Sequence, residues 1–224
     1  MAPIAGRVVF ANNASSCLFH RRTGGAWEFA TDIARLEPVG DSLVPAKGSG
    51  QSPADHFIYR QEVLAVGGGT VVATGTQFKN ADCVPIKQWG LDPARLARLV
   101  PAIGAMNTYA GNYVTINHEN GEFSFYAHLD EGSVLVKKGD RVTQGQPIGR
   151  VGTTGNSAGP HLHFQLMDGP DVRTANGLPV TFENISGDAV GFLAEGNCLH
   201  GSDLIFSGID LSSILGPPPP DHAR

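Results

Sequence analysis

Cysteine is scarce in this sequence, and long apolar runs and clustered positive charges are lacking. The three cysteines, Cys17, Cys83 and Cys198, allow one disulfide and one further thiol, which excludes a disulfide-rich scaffold. No two of them have the close spacing of a zinc finger. A Cys83–Cys198 bridge is a hypothesis that an oxidising compartment would permit. The fold must therefore depend mainly on an ordinary apolar core.

Membrane-spanning and nucleic-acid-binding functions are disfavoured by these absences. No stretch approaches the roughly 18 consecutive apolar residues of a transmembrane segment. Residues 1–16 lack the apolar region of a signal peptide, so the chain is either cytosolic or follows a removed leader. The formal net charge is −5 and there is no basic block, so a surface that follows nucleic-acid phosphates is not expected.

Glycine and proline, by contrast, are abundant, at 29 and 15 of 224 residues, and they favour short strands joined by turns. Strands are predicted at 7–11, 17–22, 27–33, 63–66, 70–74, 113–117, 122–128, 133–136, 147–151 and 161–167. Short helices are predicted at 93–99 and 189–195, a long loop at 34–61, an insertion at 76–109 and a proline-rich disordered tail at 217–224. The sequence thus predicts one mainly β domain over residues 1–216.

Two histidines lie two residues apart in the run PHLHF. Residues at this spacing face the same side of a strand, so His161 and His163 share one face and Leu162 and Phe164 the other. Two imidazoles opposite an apolar face suit metal binding or proton transfer. For the motif alone, a surface strand with two incidental histidines is the simpler alternative.

A third histidine, His128, lies in the run YAHL. Strand alternation predicts that His128 shares a face with Tyr126 and Ser124 and lies opposite Ala127. Taken alone, this pattern is equally typical of an ordinary exposed histidine on a sheet.

The run HRRTGGAWEFATD predicts a hairpin around residues 23–25. With a three-residue loop, His20 pairs with Glu28, which has the same facing as Asp32. His20 and Asp32 would then present an imidazole and a carboxylate to one side, and both groups are suitable zinc ligands. The inference depends on register, because a two-residue turn would place His20 on the wrong face. A solvated hairpin with a chance histidine is the alternative.

The later runs together resemble a known family. Residues 111–129 read GNYVTINHENGEFSFYAHL, and residues 136–164 read VKKGDRVTQGQPIGRVGTTGNSAGPHLHF. These runs are similar to the pattern GNYV…YAHL…VKKGDxVxxGQxIGxVGxTGxSxGPHLHF of the lysostaphin/LytM-type zinc endopeptidases. The resemblance covers approximately residues 62–75 and 111–167.

The resemblance implies a mainly β fold, a compact antiparallel β-sheet with a groove, and short helices in the insertions. The sheet core would comprise about 17–33, 62–75 and 111–167. The family assignment further implies a peptidase that acts on the stem peptide or cross-bridge of bacterial peptidoglycan. Its expected location is the cell envelope, either periplasmic or secreted.

The resemblance also assigns roles to site residues. His163 would bind zinc with Asp32, and His128 and His161 would be the catalytic histidines. With His20 as third ligand, one zinc ion (Zn²⁺) per chain would keep a coordination position for water. The order of the roles of His128 and His161 stays open.

The sequence departs from the family at one ligand position. The family pattern HxxxD has a histidine four residues before the aspartate, where this chain has Glu28. His20 is the preferred substitute, and Glu28 itself and His56 are competitors. The remaining histidines lie outside the matched positions and are predicted to be surface residues: His118, His200 and His222.

Two alternatives of other classes remain. A catalytically silent module of the same fold would bind peptidoglycan or a partner protein, which the departure at Glu28 allows. A biotinyl or lipoyl carrier is suggested by residues 136–149, although the modified lysine between Met or Ala neighbours is missing. The sequence leaves the oligomeric state and the peptide bond that is cleaved undetermined.

Overall fold

Short strands dominate the fold. The computed structural model describes residues 4, 9–11, 25–35, 37–39, 42–83, 109–180, 189–190 and 204–206. The strands in these ranges are β1 (Val9–Ala11), β2 (Thr31–Ile33), β3 (Glu37–Val39), β4 (Ser42–Val44), β5 (Glu62–Leu64), β6 (Gly69–Gly75), β7 (Asn112–Asn117), β8 (Phe123–Leu129), β9 (Arg141–Val142), β10 (Pro147–Arg150), β11 (Leu162–Met167), β12 (Gly177–Leu178), β13 (Ala189–Val190) and β14 (Leu204–Phe206). Single turns of 3-10 helix lie at Gly25–Trp27 and Pro53–Asp55.

One seven-stranded antiparallel sheet positions the candidate site. Its order is β12–β11–β8–β7–β6–β9, and β2 also pairs with β11. β2 lies beside the first half of β11 and β12 beside its last two residues, so both strands occupy the same side of β11. The other pairings form smaller sheets of β1–β14–β13, β5–β10 and β3–β4.

Alternate residues of β8 and β11 divide between two apolar clusters. Tyr126 and Phe164 belong to the larger cluster, and Phe125 and Met167 to the smaller one, which also contains Trp27. This division follows from the two-residue period of a strand, which sends neighbouring side chains to opposite faces. Burying each such side chain contributes about 1.5–3 kcal/mol. The central strands are therefore held from both faces.

The predicted fold class is confirmed, and most predicted strands in the described ranges are found. Three predicted elements are wrong in part or in whole. Residues 27–33 are a strand only from Thr31, because a 3-10 turn occupies Gly25–Trp27. Residues 133–136 form no strand, although the Leu135 N–H donates to the Ile148 carbonyl at 3.0 Å. Ala189–Val190, predicted as the start of a helix, is a strand paired with β14.

The other predicted elements have mixed outcomes. The predicted loop 34–61 contains the β3–β4 hairpin and the 3-10 turn at Pro53–Asp55. The predicted strand 17–22, the helix 93–99 and the tail 217–224 lie outside the described residues. Within the described ranges, no helix combines the length and the apolar character needed to cross a membrane.

Among the described residues, Cys83 is a buried thiol without a disulfide partner, and burial raises its pKa to about 11, with smaller contributions from Asp55 and Asp82. Its proposed partner Cys198 lies outside the described residues, as does Cys17.

Candidate functional site

Asp32 and His163 meet because β2 and β11 are paired. The register places the two residues directly opposite each other, and opposed residues of an antiparallel pair present their side chains to the same face. Asp32 Oδ1 lies 3.0 Å from His163 Nδ1. The side chain of His163 is 2% exposed and that of Asp32 22%, so the carboxylate is the accessible member of the pair.

His161 precedes β11 by one residue and approaches the same carboxylate. Its Nε2 lies 3.7 Å from Asp32 Oδ1. Its Nδ1 lies 2.8 Å from the carbonyl oxygen of Gly159 and 3.2 Å from Ser157 Oγ. A carbonyl oxygen can only accept, so the proton is assigned to Nδ1 and the basic nitrogen of the neutral ring is Nε2.

His128 reaches this face through an unusual backbone conformation. The strand register puts Ala127 opposite His163, so regular alternation would direct His128 to the other face. His128 instead has a φ of 61°, which is uncommon for a residue other than glycine. Its ring centroid lies 4.7 Å from that of His161 and 5.9 Å from that of His163. The predicted shared face with Tyr126 and Ser124 is therefore wrong, since Tyr126 packs in the larger core.

The hydrogen bonds of His128 leave its Nε2 as the basic nitrogen. Its Nδ1–H donates to the carbonyl oxygen of Thr154 at 2.9 Å. Burial lowers the pKa of His128 well below its ordinary value, and the neighbouring His161 and His163 lower it further. The ring is therefore a neutral imidazole at neutral pH, able to accept a proton at Nε2.

A hydrogen-bonded support fixes the Thr154 segment. Thr154 Oγ1 donates to the Leu129 carbonyl at 2.7 Å and accepts from the Asn112 N–H at 2.8 Å. The Asn112 side chain in turn exchanges two hydrogen bonds of 2.9 Å with the backbone of Phe78. The carbonyl that orients His128 is thus held from three parts of the chain.

Aromatic rings enclose the buried side of the site. The ring centroids of Trp27 and Phe125 lie 5.1 Å and 6.2 Å from that of His163. Tyr109 packs edge-on against Trp27 at 4.9 Å and lies 6.3 Å from His128. Burial raises the pKa of Tyr109, with a smaller contribution from the charge of Asp32, so its hydroxyl stays protonated.

In the structure, neither described candidate for the third ligand joins Asp32 and His163 in a group that could hold a metal ion. Glu28 is exposed and follows a 3-10 turn, so the common facing with Asp32 that a continuous strand would give is wrong. His56 is buried, with its Nε2 3.0 Å from the Gly50 carbonyl oxygen. Burial lowers the pKa of His56, and the hydrogen bond to the Gly50 carbonyl and the charge of Asp55 partly oppose this effect. His20, the preferred ligand, lies outside the described residues.

The other histidines differ in their placement. His118 is half-buried rather than a surface residue, and its ring nitrogens lie 2.8 Å from the Gly68 carbonyl oxygen and from Ser124 Oγ. His200 and His222 lie outside the described residues.

The Asp32–His163 pair fits zinc as part of a ligand set. An imidazole nitrogen and a carboxylate oxygen are ordinary zinc ligands, and here they converge from neighbouring strands. Within the described ranges, no group of three or more His, Cys, Asp or Glu side chains is arranged to hold a metal ion.

Gln165 and Thr154, which hold two of the histidines, were not predicted from the sequence. Gln165 Oε1 lies 2.8 Å from His163 Nε2. A signal was available, because Gln165 is two residues after His163 and so shares its face on β11. For Thr154 there was none, since its carbonyl meets His128 only through the fold.

Comparisons with known proteins find one matching family and several relatives. Residues 96–180 match peptidase family M23. The chain is 52% identical over 59 residues to the peptidoglycan DD-endopeptidase ShyA of Vibrio cholerae serotype O1, covering 26% of this chain and 13% of ShyA. It is 35% identical over 131 residues to the DD-endopeptidase ShyB of the same organism, covering 58% of this chain and 29% of ShyB. The chain therefore spans less than a third of the length of these two relatives.

A solved structure is also similar. It is a mutant catalytic domain of the prophage-encoded M23 protein EnpA from Enterococcus faecalis, with a TM-score of 0.41 and 19% identity over 79% of this chain and 92% of that chain. The family match includes the three strands β7, β8 and β11 and all three histidines of the site. Over residues 96–180, this chain therefore matches a peptidase family M23 domain of the LytM/lysostaphin type.

Proposed function

We propose that this chain is a zinc-dependent endopeptidase that hydrolyses peptide bonds of bacterial cell-wall peptidoglycan. One observation carries the proposal: Asp32, His128, His161 and His163 converge from separate segments onto one partly accessible face. Asp32 Oδ1 is within 3.0 Å of His163 and 3.7 Å of His161, and the rings of His128 and His161 are 4.7 Å apart. Clusters of this kind supply both metal ligands and proton-transfer groups.

The names of two relatives support the proposed substrate class and location. ShyA and ShyB are named peptidoglycan DD-endopeptidases, which supports a peptidoglycan peptide as substrate. Such a substrate places the site of action in the cell envelope, either periplasmic or outside the cell. The peptide stem or cross-bridge would lie along the accessible side of Asp32 and His161.

Asp32 Oδ1 and His163 Nδ1 would hold the zinc ion, with His20 as the third protein ligand on the basis of the sequence. A bound zinc ion polarises the scissile carbonyl and lowers the pKa of a water molecule towards neutrality. The aromatic enclosure formed by Trp27 and Phe125 keeps bulk water away from the buried side of His163.

His128 and His161 would carry the proton. Each ring has its Nδ1 engaged with a backbone carbonyl, which leaves Nε2 as the basic nitrogen. One of the two would take the proton of the attacking water and deliver it to the leaving amine, and the other would stabilise the tetrahedral oxyanion by hydrogen bonding.

The test combines zinc stoichiometry with cleavage of purified peptidoglycan. We expect His163→Ala and His20→Ala to lose both zinc and cleavage. His128→Ala and His161→Ala should keep zinc and lose about 10²–10⁴-fold in turnover. His118→Ala is the matched control and should retain both properties, because it replaces a half-buried histidine outside this cluster.

The results would separate three situations. If His163→Ala retained one zinc ion per chain, the ligand assignment would be wrong. If His20→Ala retained zinc and cleavage while His163→Ala lost both, only His20 would be excluded as a ligand, and attention would turn to Glu28 and His56. A catalytically silent module, which Glu28 at the family's histidine position favours, would purify with far less than one zinc ion and cleave nothing.

A further inference from the structure

We propose that Gln165 is a positioning residue that, together with the carbonyl of Ala26, selects the ring nitrogen with which His163 faces Asp32. The expected effect on zinc binding rests on the proposed function, whereas the hydrogen-bonding arrangement around His163 does not. Gln165 lies on β11 two residues after His163 and is completely buried.

The orientation of the Gln165 amide is fixed by its two partners. Its Nε2 donates to the Ala26 carbonyl oxygen at 2.8 Å, and its Oε1 lies 2.8 Å from His163 Nε2. Rotating the amide by half a turn would bring two oxygens together at the Ala26 carbonyl, where neither could donate. The hydrogen-bonding network therefore decides which end of the amide meets the histidine.

This orientation determines the tautomer of His163. Because Gln165 Oε1 can only accept, His163 Nε2 must carry a proton. In the neutral ring the lone pair then lies on Nδ1, which is 3.0 Å from Asp32 Oδ1. Two acceptors at this distance repel each other unless a proton or a metal ion lies between them. Gln165 thus directs the lone pair of His163 Nδ1 towards Asp32 Oδ1, so that the two atoms can bind one cation between them.

The turn that supplies the Ala26 carbonyl is itself restrained. Ala26 is the middle residue of the 3-10 turn Gly25–Trp27 and is buried. A Cβ added at Gly177 would lie 2.9 Å from the Ala26 oxygen, so β12 packs tightly against this carbonyl. Gln165 therefore connects the β11 ligand to a rigid part of the segment that leads to Asp32.

Two substitutions distinguish positioning from support of the fold. Gln165→Met keeps the length of the side chain and removes the acceptor for His163 Nε2. Gln165→Glu keeps that acceptor but loses the donor to Ala26. If Gln165 positions His163, Gln165→Met raises the zinc dissociation constant of the folded protein by about 10–100-fold. Gln165→Glu lowers the thermal midpoint while its zinc affinity stays within about tenfold of wild type.

The measurements are zinc competition with a chromophoric chelator, thermal unfolding, and ring ¹⁵N chemical shifts of His163 in the metal-free protein. We expect the shifts to show a protonated Nε2 in wild type. Gln144→Met is the control, since Gln144 is an exposed glutamine bonded to the Val66 carbonyl, and it should leave zinc affinity unchanged.

Two outcomes would overturn the proposal. One is a wild-type ring protonated at Nδ1 instead of Nε2, and the other is a folded Gln165→Met variant that binds zinc as tightly as wild type. If Gln165→Met fails to fold, the proposal is still tested by the ring ¹⁵N shifts of wild type and by the zinc affinity and thermal midpoint of Gln165→Glu. If wild type takes up no zinc, the proposed function fails, whereas the ¹⁵N shifts of metal-free protein continue to test the role of Gln165.

Discussion

The backbone of His128 shows how a single residue can be held in an unfavourable conformation by its surroundings. A left-handed residue with a Cβ costs about 1–2 kcal/mol relative to the right-handed form. The His128 carbonyl accepts from the Gly152 N–H at 2.9 Å, and its side chain donates to Thr154 at 2.9 Å. Both partners lie on the segment after β10, so this segment fixes the main chain and the ring together. Strained residues maintained in this way are typical of functional sites.

This conformation also explains why strand alternation predicted the wrong face for His128. The alternation rule assumes regular strand dihedrals, and it holds for Tyr126 and Ala127. The exceptional conformation of His128 depends on hydrogen bonds to residues more than twenty positions away, so no local sequence pattern predicts it. The face shared by His161 and His163 was predictable, because Leu162 and Phe164 pack in the opposite core.

Gly155 should be irreplaceable in the segment that orients His128. It has a φ of 76°, and an added Cβ would lie 2.4 Å from the Gly111 nitrogen and 2.5 Å from the Tyr109 oxygen. Gly121 is the matched control, with a φ of 91° and no atom within 4 Å of the added Cβ. We expect Gly121→Ala to lose about 1–2 kcal/mol of unfolding free energy. Gly155→Ala should lose a further 1–3 kcal/mol or so from overpacking.

Urea unfolding of the two glycine variants provides the comparison. Peptidoglycan cleavage should fall only in Gly155→Ala, because that substitution displaces the Thr154 carbonyl. Equal losses of stability in the two variants would show that the packing around Gly155 is looser than the structure indicates.

Among the strands, β11 organises the site because it pairs with β2, β8 and β12. β2 has only three residues, and its attachment depends on the apolar neighbours of Asp32 as well as on backbone hydrogen bonds. Ile33 is completely buried in the larger core and pairs with Leu162. Docking of this short strand therefore determines where the Asp32 carboxylate lies.

Ile33 should consequently be sensitive to truncation. We expect Ile33→Val to lose about 0.5–1.5 kcal/mol of unfolding free energy and Ile33→Ala about 2–5 kcal/mol, since each leaves a cavity in the core. Leu135→Ala is the control, because Leu135 is 65% exposed, and it should change the unfolding free energy by less than about 0.5 kcal/mol. Denaturant unfolding measures all three, and similar losses in Ile33→Ala and Leu135→Ala would contradict the buried position of β2.

Six strands, four of them in the central sheet, were predictable from alternation and turn residues. The predicted ends of the segments at 62–64, 69–75, 112–117, 123–129, 147–150 and 162–167 lie within two residues of the observed ends. The region before Asp32 was not predictable in the same way. Gly25 adopts a φ of 59°, and hydrogen bonds from Glu28 to Gly25 and from Ala30 to Trp27 make a 3-10 turn where the composition indicated a strand.

Across the molecule, a buried carboxylate connects three distant segments. Asp130 is 4% exposed and directly follows β8. Its Oδ2 accepts from Arg60 Nε at 3.0 Å, and its Oδ1 accepts from Asn80 Nδ2 at 2.6 Å and from the Tyr59 hydroxyl at 3.3 Å. Asn80 also accepts from the Thr153 N–H at 3.0 Å, which extends this network to the segment that orients His128.

Removal of this carboxylate should be more damaging than removal of a surface one. We expect Asp130→Ala to lose about 1–3 kcal/mol of unfolding free energy, because the half-buried Tyr59 and Asn80 lose their acceptor, whereas Arg60, with a 61% exposed side chain, can be hydrated instead. Glu119→Ala breaks an exposed pair with Arg141 and should lose about 1 kcal/mol or less. Urea unfolding at low and moderate salt checks both values, and a loss below 1 kcal/mol for Asp130→Ala would show that the network adds little.

The resemblance to the family was accessible from the sequence because its motifs are contiguous runs of residues. The third proposed ligand was not, because its prediction depends on the register of a predicted hairpin, and a 3-10 turn occupies Gly25–Trp27 where that prediction requires a loop and a strand. A change of one residue in that register would reverse the facing of His20.

The pairing of Asp32 with His163 joins positions 131 residues apart in the sequence. Closing a loop of that length costs about 4 kcal/mol of chain entropy, so the contact has a high contact order and is expected late in folding. At a synthesis rate of roughly 5–20 residues per second, the histidine leaves the ribosome several seconds after the aspartate. A nascent chain therefore has no cation-binding pair, and the pair arises only once nearly the whole sheet has been made.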